Sequence, residues 1–525
     1  MKKTVFFLFV VLAFTLSAQN LDPVEYAGQS CTSIMVGKKA SRDGSVMTSH
    51  TCDGRYRTWV NVVPAADHPA GATTTIYKGR LHTSFPEDTT GLKVVGTIPE
   101  EAHTYAYLNT AYPCMNEHQL AMGESTFGGP DTLCNPDNMF LIEELQRIAL
   151  QRCTTARAAI LLIGELVARY GYADGGECIT IADPNEVWQM EIIGAGKKVK
   201  GGVWVAQRVP DDQVAVSCNI PRIGRLMRED KDNFLCSYNV EAVARQFNLW
   251  DGKDDLIFWK AFNASYANGK NFREREFFIL STLAPSLHLT RDREELPFSV
   301  KPDKKVDIRE VMDLFRSTFE GTDMDMCRNL KVAGKYDSII SPIANPWMGG
   351  DMRKLLNTLS PNAVEFQRTV SVAWCSYSHV IQLRNWMSDD LGGVCWLSVD
   401  NPAQSPRIPI FAGTTKLPSA FNLCGQKQFD ERAILWQFRK ANKLATLAWQ
   451  STKGMFNKAL NEQEDKAFDG MRRIEEDVRI LHRQGKSPAQ TATMLNDYTA
   501  QVYNSHFYAW KQLEQNLWFR FGMGF

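Results

Sequence analysis

The sequence predicts an α+β protein: a mixed core of strands and helices that carries a helical C-terminal region. Three observations lead there. Short apolar runs bounded by turn residues recur between Cys31 and Val399, as buried strands do. One strongly helical stretch, residues 140–170, interrupts them, with Leu141, Leu145, Ile148 and Ala149 on one face and Ile160, Ile163, Leu166 and Val167 repeating the pattern. From Asp430 onward the strand signals stop and apolar residues recur at helical spacing through Trp436, Phe438, Leu444, Leu447, Met471, Ile474, Val478 and Leu481.

The elements follow in order. Residues 31–36 form an apolar run, 38–44 a turn and 45–49 a second run, which together make a hairpin. Further strands are predicted over 58–63 and 104–109. The helical stretch 140–170 ends at Gly171, a suitable C-cap. Strands then follow over 178–182, 187–193 and 214–218, with Pro184-Asn185 as the turn between the first two. A later block comprises 370–374, 378–383 and 394–399. A last helix spans about 488–518. The chain therefore divides into residues 1–18, 19–30, 31–425 and 426–525. The apolar faces of the last division suit packing on the core or on a second copy of the chain, a homo-oligomer.

The first division reads as a secretory signal: Lys2 and Lys3, a short apolar run from Val5 to Ala13, and the small pair Ser17-Ala18. The run is too short to span a bilayer, which takes about 20 apolar residues, and no later run reaches that length. Residues 19–30 look like a linker or pro-segment. The expected mature protein is exported, periplasmic or secreted. Lys and Arg (59) balance Asp and Glu (59), so the basic footprint of a nucleic-acid binder is missing. Export permits disulfides among the 12 cysteines, but no Cys-x-x-Cys pair suggests zinc or redox work. Dinucleotide, P-loop and Gly-x-Ser-x-Gly motifs are absent as well.

Cys31 opens the first strand directly after the dispensable-looking segment. A cut between Ser30 and Cys31 would leave a thiol and a free α-amine on one residue. An α-amine titrates near about 8 and can take the thiol proton without a histidine. A buried strand cysteine is the bland alternative.

The stretch Cys31-Thr-Ser-Ile-Met-Val-Gly-Lys-Lys-Ala-Ser-Arg-Asp-Gly-Ser45 resembles the mature start of peptidase family C69, the dipeptidase A family, related to secernins and placed among the N-terminal nucleophile hydrolases. So do Asn116-Glu-His-Gln-Leu-Ala-Met-Gly-Glu-Ser125, Glu177-Cys-Ile-Thr-Ile-Ala-Asp183 on to Trp188 and Glu191, and Trp204 to Asp212. Asn219-Ile-Pro-Arg-Ile223, Pro297 to Asp303 and Cys375 to Gln382 complete the series, in family order over most of residues 31–415. The resemblance implies an αββα sandwich of two antiparallel sheets. It implies a cysteine dipeptidase that hydrolyses small peptides through an acyl-enzyme on Cys31, with no cofactor and no metal. It also implies roles for Asn219 and Asn116 as oxyanion donors, and for Asp53 as the carboxylate that orients the Cys31 amine.

Three further residues are substrate-side candidates. His50 stands where the family often has Arg, and would support Cys31 electrostatically with a group that, unlike a guanidinium, is not permanently charged. Glu124 would line the substrate, and Arg222 would hold its carboxylate by a bidentate pair. His50 and Cys52 can also be read as a metal pair, without a second pair at ligand spacing. Two other readings share these residues: an amidase for bile-salt, penicillin or N-acyl amine substrates, and a binding protein without activity on the same fold.

Overall fold

The computed structural model describes residues 30–263 and 270–523. The signal (1–18) and residues 19–29 of the pro-segment lie outside the described residues. Ser30, the last residue of that segment, is the first residue of a strand.

Two antiparallel sheets face each other. The seven-stranded sheet runs Ser299–Val300, Val214–Ser217, Ser30–Val36, Val46–Asp53, Cys375–Leu383, Val394–Val399, Ile408–Phe411. The eight-stranded sheet runs Phe234–Cys236, Gly202–Arg208, Val187–Gly194, Glu177–Ala182, Ala121–Thr126, Met115–Asn116, Tyr107–Asn109, Asn61–Val63. Strands 30–36 and 46–53 are central, buried on both faces, and pair as the expected hairpin with Cys31 opposite Cys52.

Helices cover both outer faces, which completes the αββα order. On the eight-stranded sheet lie Ile142–Arg152 and Ala156–Tyr170. They divide the single helical stretch read from the sequence. Cys153 takes an extended conformation, and Thr155 caps the second helix by accepting from Ala158 N at 3.3 Å. Gly171 closes that helix at φ 85°, a conformation costly for any other residue. On the other sheet, Ile34, Val36, Val216, Val380 and Trp396 share a core with Ile279, Val311, Met312, Phe315 and Val478 of the covering helices. Trp396 stacks on Phe468 with ring centroids 4.2 Å apart.

The C-terminal helices are Ile434–Ala445, Trp449–Arg483 and Pro488–Gly522. The last begins where Pro suits the first turn, with the Gln490 side chain accepting from Ser487 N at 3.1 Å. This helix packs on the strand Ile408–Phe411 and on helix 434–445, and Trp510 Nε1 donates to Gln404 O at 3.1 Å. No helix among the described residues is long and apolar enough to cross a membrane.

Some expectations change. Residues 370–374 form no strand; their backbone turns, and the Arg368 guanidinium takes the carbonyls of Thr369 and Val370. The strand expected over 58–63 shrinks to Asn61–Val63, because Val60 N donates to Phe421 O outside the ladder. None of the twelve cysteines is disulfide-bonded.

Candidate active site

Strand alternation decides what Cys31 faces. Ser33, two residues on, turns its hydroxyl to the other sheet and donates to Glu124 O at 3.1 Å. Cys31 points the same way, and its Sγ donates to Glu124 Oε1 at 3.0 Å. On the neighbouring strand Thr48 reaches Thr180 across the sheets at 2.6 Å, so His50 and Cys52 share that inward face. His50 Nε2 lies 3.1 Å from the same Glu124 Oε1. The imidazole is fully buried and rests among Tyr112, Tyr377 and His379, with centroids 5.5–5.8 Å away.

Glu124 sits inside a strand because Gly123 lets the sheets close beside it. A Cβ on Gly123 would meet Ser49 O at 2.5 Å and Thr180 Oγ1 at 2.9 Å. Glu124 is fully buried. Burial opposes its charge, yet His50 beside it and hydrogen bonds from His50, Glu177 and Cys31 outweigh that and hold its carboxyl below the usual range. Glu177, also buried, is driven well above the usual range by burial and by Glu124, so one proton serves both carboxyls. Burial, with Glu124, Cys52 and Asp53 nearby, keeps the Cys31 thiol well above the usual thiol range.

The backbone of Cys31 is held from the other side. Its N–H donates to Asn219 Oδ1 at 2.8 Å. Asn219 follows strand Val214–Ser217 at φ 66°, a left-handed conformation that asparagine tolerates. There its side chain takes the place that a ladder carbonyl would have. Its Nδ2 donates to Thr126 O at 2.7 Å. Arg275 binds Cys31 O at 2.6 Å, Thr32 Oγ1 at 2.8 Å, Cys218 O at 3.0 Å and Asn219 Oδ1 at 2.8 Å. This guanidinium locks the strand of Cys31 to its neighbour.

Asp53 pairs with Ser30 in register, one residue out of phase with Cys31, so its side chain leaves the opposite face of the sheet. There Oδ2 accepts from Thr51 Oγ1 at 2.9 Å and from Arg368 at 2.6 Å, while buried Oδ1 takes no donor. Arg368 also holds Ser30 Oγ at 2.7 Å.

The structure thus brings Cys31, His50 and Glu124 together on the inward face, with Asn219 on the Cys31 nitrogen and Asp53 one register position away on the opposite face. Two sequence candidates stand elsewhere. Asn116 spends its whole amide on structural bonds: Nδ2 donates to Leu150 O and Cys153 O at the end of helix Ile142–Arg152, both at 2.8 Å, and Oδ1 accepts from His118 N and Leu120 N of its own turn, both at 3.0 Å. No donor is left to receive an oxyanion. Asn219 differs from its expected part too, since its carboxamide oxygen holds Cys31 N while its NH₂ serves Thr126. Arg222 is buried in an ion pair with Glu276 at 2.7 Å and donates to Leu296 O at 2.8 Å, which anchors helix Lys270–Leu283 instead of facing substrate. Sequence reasoning missed Arg275, Arg368 and Glu177. The Arg273-Glu-Arg-Glu276 run reads as a solvated helix face, and Arg368 belongs to no motif.

His50 groups with Cys31 and Glu124, not with Cys52, as a set of donors. Sγ, Nε2 and a carboxylate oxygen lie within 4.8 Å of one another, atom types that a thiophilic divalent ion accepts. The same three groups also make a nucleophile, a proton acceptor and a residue that polarises the acceptor.

The model of peptidase family C69 matches residues 30–462. A probable dipeptidase B of Streptococcus pyogenes serotype M1 is 26% identical over 439 residues, 82% of this chain and 80% of that protein. A probable dipeptidase of Latilactobacillus sakei is 26% identical over 416 residues, 76% and 77% of the two chains. Dipeptidase A of Lactobacillus helveticus is 22% identical over 495 residues, 90% and 94%. With a matched span that opens at the strand of Cys31 and runs into the long helix Trp449–Arg483, this chain belongs to peptidase family C69.

Proposed function

We propose that this protein is an exported cysteine dipeptidase whose nucleophile is Cys31, freed as the N-terminal residue by removal of residues 1–30. One observation carries the reading: the Cys31 thiol donates to the Glu124 carboxylate at 3.0 Å while Asn219 holds the nitrogen of the same residue at 2.8 Å. The names of the related dipeptidases support the substrate class.

In the unprocessed chain the Cys31 nitrogen is an amide and accepts no proton. Glu124 is then the base within reach of the thiol. After processing, the α-amine keeps Asn219 Oδ1 as a partner, and the unpartnered Oδ1 of Asp53 becomes its natural charge partner. Transfer of the thiol proton to the amine or to Glu124 gives the thiolate. The sulfur attacks the carbonyl carbon of the dipeptide and forms the C–S bond. Collapse of the tetrahedral intermediate breaks the C–N bond, and the leaving amine takes the proton. Water then hydrolyses the thioester and frees the first amino acid.

The test is the N-terminus and intact mass of the exported protein, followed by a dipeptide panel. Expected are a start at Cys31 and hydrolysis that Cys31→Ala abolishes, a loss of about 10³-fold or more for a nucleophile. Full activity in a protein that starts near Gln19 would overturn the N-terminal mechanism. Full activity in Cys31→Ala would overturn the nucleophile.

A further inference from the structure

A peptidase that takes dipeptides must read a free terminus, because only the termini distinguish a dipeptide from a longer chain. In a dipeptide the scissile carbonyl carbon is bonded to the Cα that bears the free α-ammonium. When Cys31 Sγ has attacked that carbon, the ammonium nitrogen is three bonds from sulfur. Covalent geometry keeps it about 3–4.5 Å from Sγ. The Glu124 carboxylate stands in that shell, with Oε1 3.0 Å from Sγ.

The surroundings of Glu124 suit a cation. Its Oε2 and the Oε2 of Glu177 are buried and take no donor from any other residue. A carboxylate has about four acceptor positions, and Cys31 and His50 approach the Oε1 of Glu124 only. Glu177 is fixed by Thr126 Oγ1, which donates to its Oε1 at 2.8 Å. Beyond it Asp174 adds a third, half-buried acid. An isolated buried carboxylate pair is costly, and an ammonium between the two removes much of that cost. The same pair is hostile to the apolar acyl group of a bile-salt or penicillin amide.

Resting on the dipeptidase reading above, we infer that Glu124, backed by Glu177, is the subsite for the free α-ammonium of the substrate's first residue, so that unblocked dipeptides are cleaved and N-acylated ones are refused. Glu124 then has two parts: it accepts from the thiol in the resting enzyme and places the substrate carbonyl over sulfur by holding its amine.

Three substrates of one side-chain composition test this on the mature enzyme: Ala-Ala, N-acetyl-Ala-Ala, and lactyl-Ala, in which hydroxyl replaces the amine. Expected is cleavage of Ala-Ala, with kcat/KM at least about 10²-fold lower for the other two. Glu177→Gln should raise KM for Ala-Ala by about 10-fold more than it raises KM for lactyl-Ala, since only the first carries the charge. Equal cleavage of Ala-Ala and N-acetyl-Ala-Ala would overturn the subsite and leave the dipeptidase standing. So would a Glu177→Gln effect of equal size on Ala-Ala and lactyl-Ala. Cleavage of none of a broad dipeptide panel would overturn the dipeptidase reading, and the subsite with it.

Discussion

One nitrogen of Arg368 bonds Asp53 Oδ2 at 2.6 Å and Ser30 Oγ at 2.7 Å. The guanidinium therefore grips the residue that precedes the proposed cut and the carboxylate proposed to receive the new amine. Breaking a buried ion pair by removing one partner costs about 3–5 kcal/mol. Arg368→Met should lower folding stability by that order in denaturant titration and slow the appearance of a Cys31 start in mass spectra. Adding Asp53→Asn should restore part of the stability and none of the processing rate. A single-variant loss within about 0.5 kcal/mol would show that the pair does not hold this corner.

His50 is expected to act on the acid limb of the pH–rate profile. It lies 3.1 Å from Glu124 and helps keep that carboxyl below the usual range. Without it Glu124 takes its proton at higher pH, so His50→Gln should shift the acid limb of kcat/KM upward. An unchanged profile would detach His50 from the site.

Asn116 serves as a control of the opposite kind. Its amide satisfies two carbonyls at the end of helix Ile142–Arg152 and two N–H groups of the turn after strand Met115–Asn116. Asn116→Ala should cost about 2–4 kcal/mol of stability, since those groups stay buried without partners. The kcat of the folded fraction should stay within about 2-fold. A kcat loss of about 10²-fold, the size seen for a missing oxyanion donor, would return Asn116 to the catalytic set.

Glu143 sets a stability trend with pH. Burial pushes its carboxyl up to about 8, and its Oε1 takes no donor. The folded state therefore keeps a proton that the unfolded chain has already lost above about 4.3. Its contribution is complete below that point and fades as pH rises toward 8, at no more than about 1.4 kcal/mol per pH unit. Glu143→Gln, which cannot ionise, should match the parent near pH 4 and exceed it near pH 8 in denaturant midpoints. Equal midpoints for parent and variant at both pH values would refute the assignment.

The parts of this molecule that obey local periodicity were legible in its residues. The Cys31 hairpin, the strand Val394–Val399 and the helix that starts at Pro488 follow from apolar spacing and cap chemistry. Asn219 was legible because it ends a strand, although its use as an acceptor needed coordinates. Glu124 was visible as a candidate, but its contact with Cys31 spans 93 residues of sequence. Arg275 and Arg368 were hidden for the same reason. Their partners lie 244 and 338 residues away, and no local pattern marks an arginine that is buried by such contacts. The strand expected over 370–374 failed because Arg368 takes the carbonyls of Thr369 and Val370 and Trp347 Nε1 that of Ser371, tertiary demands that apolar spacing does not record.

The hydroxyl pairs between the sheets have a mechanical consequence. Thr48 meets Thr180, and Ser125 meets Ser217, each at 2.6 Å. Apolar layers are held by a non-directional force and can slide, whereas a hydrogen bond of this length fixes both spacing and alignment. Cys31 comes from one layer and Glu124 from the other, so these pins act as gauge blocks for the gap across which the proposed proton transfer runs. Apolar replacement of a pin would leave every reacting group present and yet detune the distance between them, a fault visible in rate before it is visible in fold.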